Sequence, residues 1–407
     1  MTLTLDSIRQ AAAQIQGAVT RTPAVPCRRL SALAGCTLVL KLENLQDIGS
    51  FKQRGALVKL LSLGPAQARA GVIAMSAGNH AQGVAFHAQR LSIPATIVMP
   101  EGTPFTKVER TAEYGARVIL HGENLDQAAG FATELATREG LTFVHPYDDP
   151  HIAAGQGTVA LELLEDVPDL DAIVVPVGGG GLIAGIATAA KALKPGIDVV
   201  GVQTMLYPTM VQALAGKQPT SGGETLAEGI AVKSPGAMTL EVIRALVDDI
   251  LLVDEPAIEH AVMKLAEDAR QVVEGAGAAP LAAVLNNRAR FAGRKVALIV
   301  AGGNIDSRLL SSVLMRGLVR EGRIASLRVD ITDRPGALAK VAGLIGASGG
   351  NIIEIHHQRL FRDVPAKRAD IDAVIETRNA AHVREIVDRL TQAGFKTRVL
   401  GTTAADT

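Results

Sequence analysis

The chain has 407 residues, 48% of them hydrophobic and 20% charged, the balance of a globular protein large enough for two or three domains. Lysine plus arginine and aspartate plus glutamate each total 41, which excludes a basic surface built for nucleic acid or an anionic membrane. Cys27 and Cys36 are the only cysteines, with no metal or redox spacing, as expected for a reducing compartment.

The N-terminal residues 1–16, MTLTLDSIRQAAAQIQ, read as an amphipathic helix start without a signal-peptide core. Later apolar runs are of strand length, so the expectation is a soluble, cytoplasmic protein. Next comes ENLQDIGSFKQRGA, residues 43–56. Here Lys52 follows Gly49, Ser50 and Phe51 and opens a helix, and small residues beside an aromatic let the backbone approach a ligand. An isolated lysine at such a place is ordinarily a solvated side chain, so its role depends on its surroundings.

Beyond it, β-rich runs alternate with helical stretches: GVIAMS (71–76), ATIVMP (95–100), ARVILHG (116–122), AIVVPV (172–177), DVVGVQ (198–203), ILLVDE (250–255) and KVALIVAGG (295–303). Strands rich in valine and isoleucine, separated by helices, predict parallel sheets covered on both faces, with ligands held beyond the strands' carboxyl ends. Two groups of strands are expected, one before about residue 150 and one after.

Three loops at such strand ends stand out. In VPVGGGGLIAG the glycines Gly178, Gly179, Gly180 and Gly181 join a strand to a helix, a cradle for phosphate at a helix N-terminus. The loose dinucleotide pattern is present from Gly179, but the following strand ends in Gln203 where an acidic residue is required. No Lys-Ser/Thr pair follows for a Walker loop. A small phosphorylated cofactor fits better. SAGNH (76–80) offers amides and the Ser76 hydroxyl to a carboxylate, and Asn79 to a ring hydroxyl; by itself it equally reads as a capped helix start. AGGNID (301–306) ends the last core strand. A phosphate-bearing cofactor that needs a lysine points to pyridoxal phosphate, held on Lys52 as a Schiff base.

After about residue 325 the texture changes. SLRVDIT, the helical DRPGALAKVAGLIGASGG, NIIEIHHQRL, RADIDAVIET, the helical AAHVREIVDRLTQAG and FKTRVL give β-α-β-β-α-β, a ferredoxin-like unit.

These motifs resemble the serine/threonine dehydratases, fold-type-II pyridoxal-phosphate enzymes, over residues 5–320. GSFKQRGA, SAGNHAQGVA, PYDDPHIAAGQGT (146–158), VPVGGGGLIAG, LVDDILLV and AGGNID carry the resemblance, and the tail with DRPGALAKVAGLI resembles an ACT domain. The layout is that of threonine ammonia-lyases with one ACT domain. The resemblance implies a two-domain, tryptophan synthase β-like α/β fold over 1–322, with a small subdomain at about 48–150 inserted in the large one, and an ACT domain over 325–403.

It further implies that Lys52 holds the cofactor and moves the substrate α-proton, and that Phe51 packs beside the ring. Gly178 to Gly181 and the Leu182 amide hold the phosphate, Asn79 meets the ring hydroxyl, and Ala301 faces the pyridine nitrogen. Ser76, Ala77, Gly78, Asn79 and His80 line the substrate carboxylate pocket. Asp333, Arg334, Pro335, Gly336 and Asn351 mark an effector site. The implied partners are an amino-acid substrate, an amino-acid effector and further copies in a homodimer or homotetramer.

Four positions depart from near relatives. Ala77 stands where serine racemases have a second serine as the opposite-face base. Gln203 replaces their metal-binding glutamate, so no metal is expected. Ala301 replaces a serine or cysteine, and Ile48 a common threonine. The expected reaction is threonine to 2-oxobutanoate and ammonia, with serine as a second substrate. Alternatives are dehydration of another β-hydroxy amino acid such as 3-hydroxyaspartate, racemisation of serine, and a non-catalytic amino-acid sensor.

Overall fold

The computed structural model describes residues 2–358 and 367–401. Residue contacts divide the chain into two units, one ending at Asp306 and one beginning at Ser307.

The first unit holds two sheets. Strands β1 (Ala24–Pro26) and β2 (Thr37–Lys41) come early, then β3 (Val72–Met75), β4 (Ala95–Met99), β5 (Arg117–Leu120) and β6 (Thr142–Phe143). They are followed by β7 (Ala172–Pro176), β8 (Asp198–Thr204), β9 (Asp249–Val253) and β10 (Lys295–Ile299). The smaller sheet has the order β5-β4-β3-β6 and is parallel throughout. The larger has the order β1-β2-β10-β7-β8-β9, parallel except for the β1–β2 pair. The strand grouping thus differs from a clean division at residue 150. β2 belongs with the later strands because it lies alongside β10, Thr37 opposite Lys295 and Lys41 opposite Ile299.

β7 is buried along its whole length, as its unbroken run of apolar residues requires of a strand covered on both faces. Helices supply the cover. Ile8 and Ile15 of the first helix, Leu163 of the helix Pro150–Asp166 and Ile183 and Ile186 of the helix Gly181–Leu193 share one core with Ile173 and Val175 of β7. A second core, with Val84, Ala88, Ile97 and Met99, lies under the smaller sheet. No helix among the described residues is long and apolar enough to cross a membrane.

The second unit opens with the helix Ser307–Arg320. β11 (Ile324–Thr332), β12 (Asn351–Gln358), β13 (Arg368–Glu376) and β14 (Lys396–Leu400) then form an antiparallel sheet in the order β12-β13-β11-β14. The helices Ala337–Ala347 and Ala380–Gln392 complete the ferredoxin-like β-α-β-β-α-β order. Alternate residues of β11, Leu327, Val329 and Ile331, join Val341, Ile345 and Ile386 of the helices in one core, the period-2 pattern of a sheet with one covered face. The strand expected over 351–360 is present over Asn351–Gln358; residues 359–366, and 402 and 403 of the expected ACT span, lie outside the described residues.

Candidate active site

Lys52 is the first residue of the helix Lys52–Leu61. The turn before it is fixed on both sides. Gly49 adopts φ +71, and a Cβ there would lie 2.8 Å from Asn304 Oδ1; Ser50 bridges antiparallel to Gly302. Phe51 N donates to the Ala301 carbonyl at 3.1 Å and Gly303 N to that of Gly49 at 2.9 Å. The lysine loop and the end of the last core strand are therefore one construction. Ala301 is buried in the core, with its carbonyl committed to this bridge.

The Lys52 amine carries no close ion pair. Nζ donates to the Pro146 carbonyl at 2.7 Å and stands 5.3 Å from the centre of the Phe51 ring. Burial lowers its pKa from 10.5 to about 8, against the pull of Glu274. A lysine so placed is about one tenth free base at pH 7, far more than an ordinary lysine offers, and the free base is the state a nucleophile or general base requires.

Glu274, which the sequence reading passed over, closes the other side. Asn79 Nδ2 donates to both its oxygens, at 2.9 and 3.1 Å. Asn304 Nδ2 donates to Asn79 Oδ1 at 2.7 Å and to the Ile48 carbonyl at 2.7 Å. This chain orients the Asn79 amide. A Cβ at Gly302 would lie 2.5 Å from Glu274 Oε1, so Gly302 makes room for the carboxylate. Burial pushes the Glu274 pKa up to about 7, opposed by the Asn79 hydrogen bond.

Ser76, Ala77, Gly78 and Asn79 are half-buried at the carboxyl end of β3. Gly78 N donates to Ser76 Oγ at 3.1 Å, and no side chain caps the helix Asn79–Arg90 that follows. His80 turns inward: its ring is buried, Nε2 lies 2.9 Å from the Val144 carbonyl, and burial drops its pKa to about 3. Its backbone, not its imidazole, is what His80 presents to the loop.

The glycine run joins β7 to the helix Gly181–Leu193, whose N-cap Gly180 has φ +99 and no side-chain capping bond. Leu182 is buried in the first turn. A Cβ on Gly179 would lie 2.3 Å from Tyr147 Cγ, and one on Gly178 2.9 Å from Val232 Cγ2. The loop is pinned from behind, as Thr239 Oγ1 and Gly236 N both donate to the Gly179 carbonyl, at 2.6 and 3.2 Å. Tyr147 follows Pro146, the residue that accepts from Lys52, so the lysine and the glycine cradle share one wall.

This donor set fits a phosphate-bearing aldehyde. It offers an amine held only by a backbone carbonyl among the described residues, an uncapped helix N-terminus for the phosphate and an oriented amide for a ring substituent. Gln203, by contrast, is completely buried with Oε1 accepting from Met210 N and Val211 N, each at 3.1 Å. That oxygen is spent on a helix start.

In the second unit, Asp333, Arg334, Pro335 and Gly336 form the exposed turn before the helix Ala337–Ala347, and Asn351 follows its far end, donating to Glu376 Oε2 at 3.2 Å. Eleven helical residues separate the two turns by about 16 Å, so one chain does not bring them into a single pocket for a small molecule.

The fold and these strand-end loops are those of an α/β enzyme with room for a phosphorylated cofactor. The chain belongs to the family of pyridoxal-phosphate-dependent enzymes, whose model matches residues 15–302, and the ACT domain model matches residues 325–392. It is 43% identical over 401 residues, 98% of this chain and 100% of the relative, to a protein of Thermotoga maritima named L-threonine ammonia-lyase. To the Geobacter sulfurreducens protein of the same name it is 44% identical over 398 residues, 97% and 98% of the two chains. Among solved structures, maize serine racemase superposes with a TM-score of 0.73 at 36% identity, covering 79% of this chain and 100% of that one.

Proposed function

We propose that the chain is an ammonia-lyase that converts L-threonine to 2-oxobutanoate and ammonia, and L-serine to pyruvate. The carrying observation is the Lys52 amine, lowered to about 8 and bonded to Pro146, set between an uncapped glycine cradle and the oriented Asn79 amide. The names of the two near-full-length relatives support the choice of substrate. Bound pyridoxal phosphate supplies an electron sink that makes the substrate α-proton acidic.

The chain's own residues do the rest. The amides of Asn79 and His80, at the start of a helix without a side-chain cap, bind the substrate carboxylate, with Ser76 Oγ, which accepts from Gly78 N, beside them. Lys52 Nζ takes the α-proton from one face. Ala77 offers no exchangeable proton to the opposite face, so no proton returns there to give the mirror image, and the β-hydroxyl takes up a proton and leaves as water instead. Hydrolysis of the resulting enamine releases the oxo acid and ammonia. Asn79, held by Asn304 and Glu274, fixes the cofactor ring, and the Leu182 amide with those of the glycine run fixes its phosphate.

The C-terminal unit gives the enzyme amino-acid control. Its exposed turn of Asp333, Arg334, Pro335 and Gly336 meets a neighbouring copy in a homodimer or homotetramer, and isoleucine or valine binds at that seam. This is control of a cytoplasmic, isoleucine-forming step. A ligand there regulates only by binding two conformations unequally.

The reaction is tested by an oxo-acid assay across threonine, serine and 3-hydroxyaspartate, with chiral chromatography of residual serine. Threonine is expected as the best substrate without D-serine formation; racemisation as fast as elimination rejects the reading of Ala77. For control, threonine saturation is compared in the full chain and in a chain ending near residue 325. A response to isoleucine or valine is expected in the full chain alone.

A further inference from the structure

Two residues past Lys52, Arg54 is fully buried and contacts neither the proposed cofactor cradle nor the substrate loop. Its Nε and Nη2 donate to Glu43 Oε2 and Oε1 at 2.8 and 2.9 Å. Its Nη1 and Nη2 donate to Glu162 Oε1 and Oε2 at 2.6 and 2.8 Å. Thr158 Oγ1 at 3.1 Å takes the second Nη1 hydrogen, and the Thr20 carbonyl at 3.3 Å shares an Nη2 hydrogen with a carboxylate. Lys41, also buried, donates to Glu162 and to the Thr22 carbonyl. Burial opposes ionisation of Glu43, but Arg54, Lys41 and Thr22 outweigh it and hold its pKa below the ordinary value. Two cations and two anions balance.

A buried ionic cluster is a poor source of stability, because desolvating each ion costs several kcal/mol and apolar residues of equal volume serve as well. What it supplies is a single geometry. The lysine helix needs such a device, since no side chain caps its start. Gln53 ties the first turn to the preceding loop: Nε2 donates to Gln46 Oε1 at 2.8 Å and Oε1 accepts from Ile48 N at 3.2 Å. Arg54 ties the same turn to the helix Pro150–Asp166, which carries Thr158 and Glu162.

That helix is also where the two halves of the site meet. On one side Gln156 Oε1 accepts from Gly55 N at 3.2 Å, and a Cβ on Gly155 would lie 2.6 Å from Gly55 Cα. On the other, a Cβ on Gly185 of the glycine-cradle helix would lie 2.6 Å from Gly157 N. The lysine helix and the cradle helix thus rest, backbone against backbone, on opposite sides of one spacer.

We propose that Arg54 is a positioning residue for Lys52: its double fork to Glu43 and Glu162 locks the lysine helix on the spacer and so sets the amine's place relative to the glycine cradle. The proposal rests on the reading of Lys52 and the glycine run as the cofactor site.

Three variants test it: Arg54→Lys, which keeps the charge and loses the fork; Arg54→Met with Glu43→Gln, which leaves Lys41 and Glu162 as a balanced pair; and Lys52→Ala. Each is purified and compared with the parent by cofactor dissociation constant, by the visible band of the holoenzyme and its pH midpoint, by kcat and KM for threonine, and by thermal unfolding of the cofactor-free protein. For the Arg54 variants the expected result is kcat lower by about 10- to 100-fold with KM within about 2-fold, as misplacement of a reacting group gives, together with weaker cofactor binding, a displaced band midpoint and near-parental unfolding. An Arg54 variant with parental kcat and band, or failure of both Arg54 variants to fold at low temperature, assigns the cluster to stability alone and overturns the proposal. Turnover by Lys52→Ala would instead overturn the site reading itself.

Discussion

Two helices packed against each other begin in opposite ways. At the start of Pro150–Asp166, Asp149 Oδ1 accepts from His151 N at 2.8 Å and Ile152 N at 3.3 Å. At the start of Gly181–Leu193 there is only Gly180, at φ +99, with no capping side chain. Both face the same requirement, because the first N–H groups of any helix lack partners within it. The first helix meets it from its own sequence and serves as a spacer. The second has no such cap, and neither do the helices starting at Lys52 and Asn79. Other helices, such as Phe105–Ala112, also lack a side-chain cap, so it is the glycine run at the start of Gly181–Leu193 that marks that helix for the proposed phosphate.

Replacing Lys52 by alanine separates covalent hold from the cradle and carries the largest effect. Turnover is expected to vanish while the cofactor still binds weakly and noncovalently, as equilibrium dialysis would reveal; wild-type oxo-acid production by this variant would end the assignment. Gly179→Ala attacks the uncapped helix directly. The new methyl collides with the Tyr147 ring, so cofactor affinity should fall about 100-fold or more, roughly 3 kcal/mol, with little change in far-UV circular dichroism. Asp149→Ala attacks the capped helix. Loss of the cap should cost about 1 kcal/mol of stability, visible in the melting temperature, with cofactor affinity unchanged for the same amount of folded protein. Burial opposes Asp149 ionisation, yet Lys59 and the two amides hold its pKa below the ordinary value. That contribution is therefore present above the unfolded pKa and lost as acid protonates the folded group.

A smaller effect concerns pH. The cofactor-free chain should capture pyridoxal phosphate with a midpoint near 8, where burial places Lys52, and not near 10.5. Stopped-flow absorbance across that range would detect either. Last, Ala77→Ser should yield slow D-serine formation from L-serine, read by chiral chromatography.

The legible parts of the site were those written in consecutive residues. Gly178 to Gly181 announce a backbone cradle, and Val199, Val200 and Val202 a buried strand, because each signal is local. Glu274 gave no such signal. Its meaning comes from Asn79, 195 residues away in the chain, and an acidic residue before Gly275 reads as an ordinary helix start. Arg54 was hidden in the same way, since Glu162 lies 108 residues further on. β2 escaped because its five residues, TLVLK, find their purpose only beside β10. His80 showed a polar residue at a ligand loop, and only packing reveals that its ring belongs to Val144.

The β2–β10 pairing also sets an order of assembly. All strands of the smaller sheet lie within residues 72–143, so it can close early on the ribosome. Lys41 must wait for Ile299, and Ser50 for Gly302, roughly 250 residues later, a delay on the order of 10–50 s at ribosomal rates. The turn bearing Lys52 thus lacks its bridge to the last core strand for most of synthesis. The last anchor of the Lys52 turn falls into place only when the last core strand arrives.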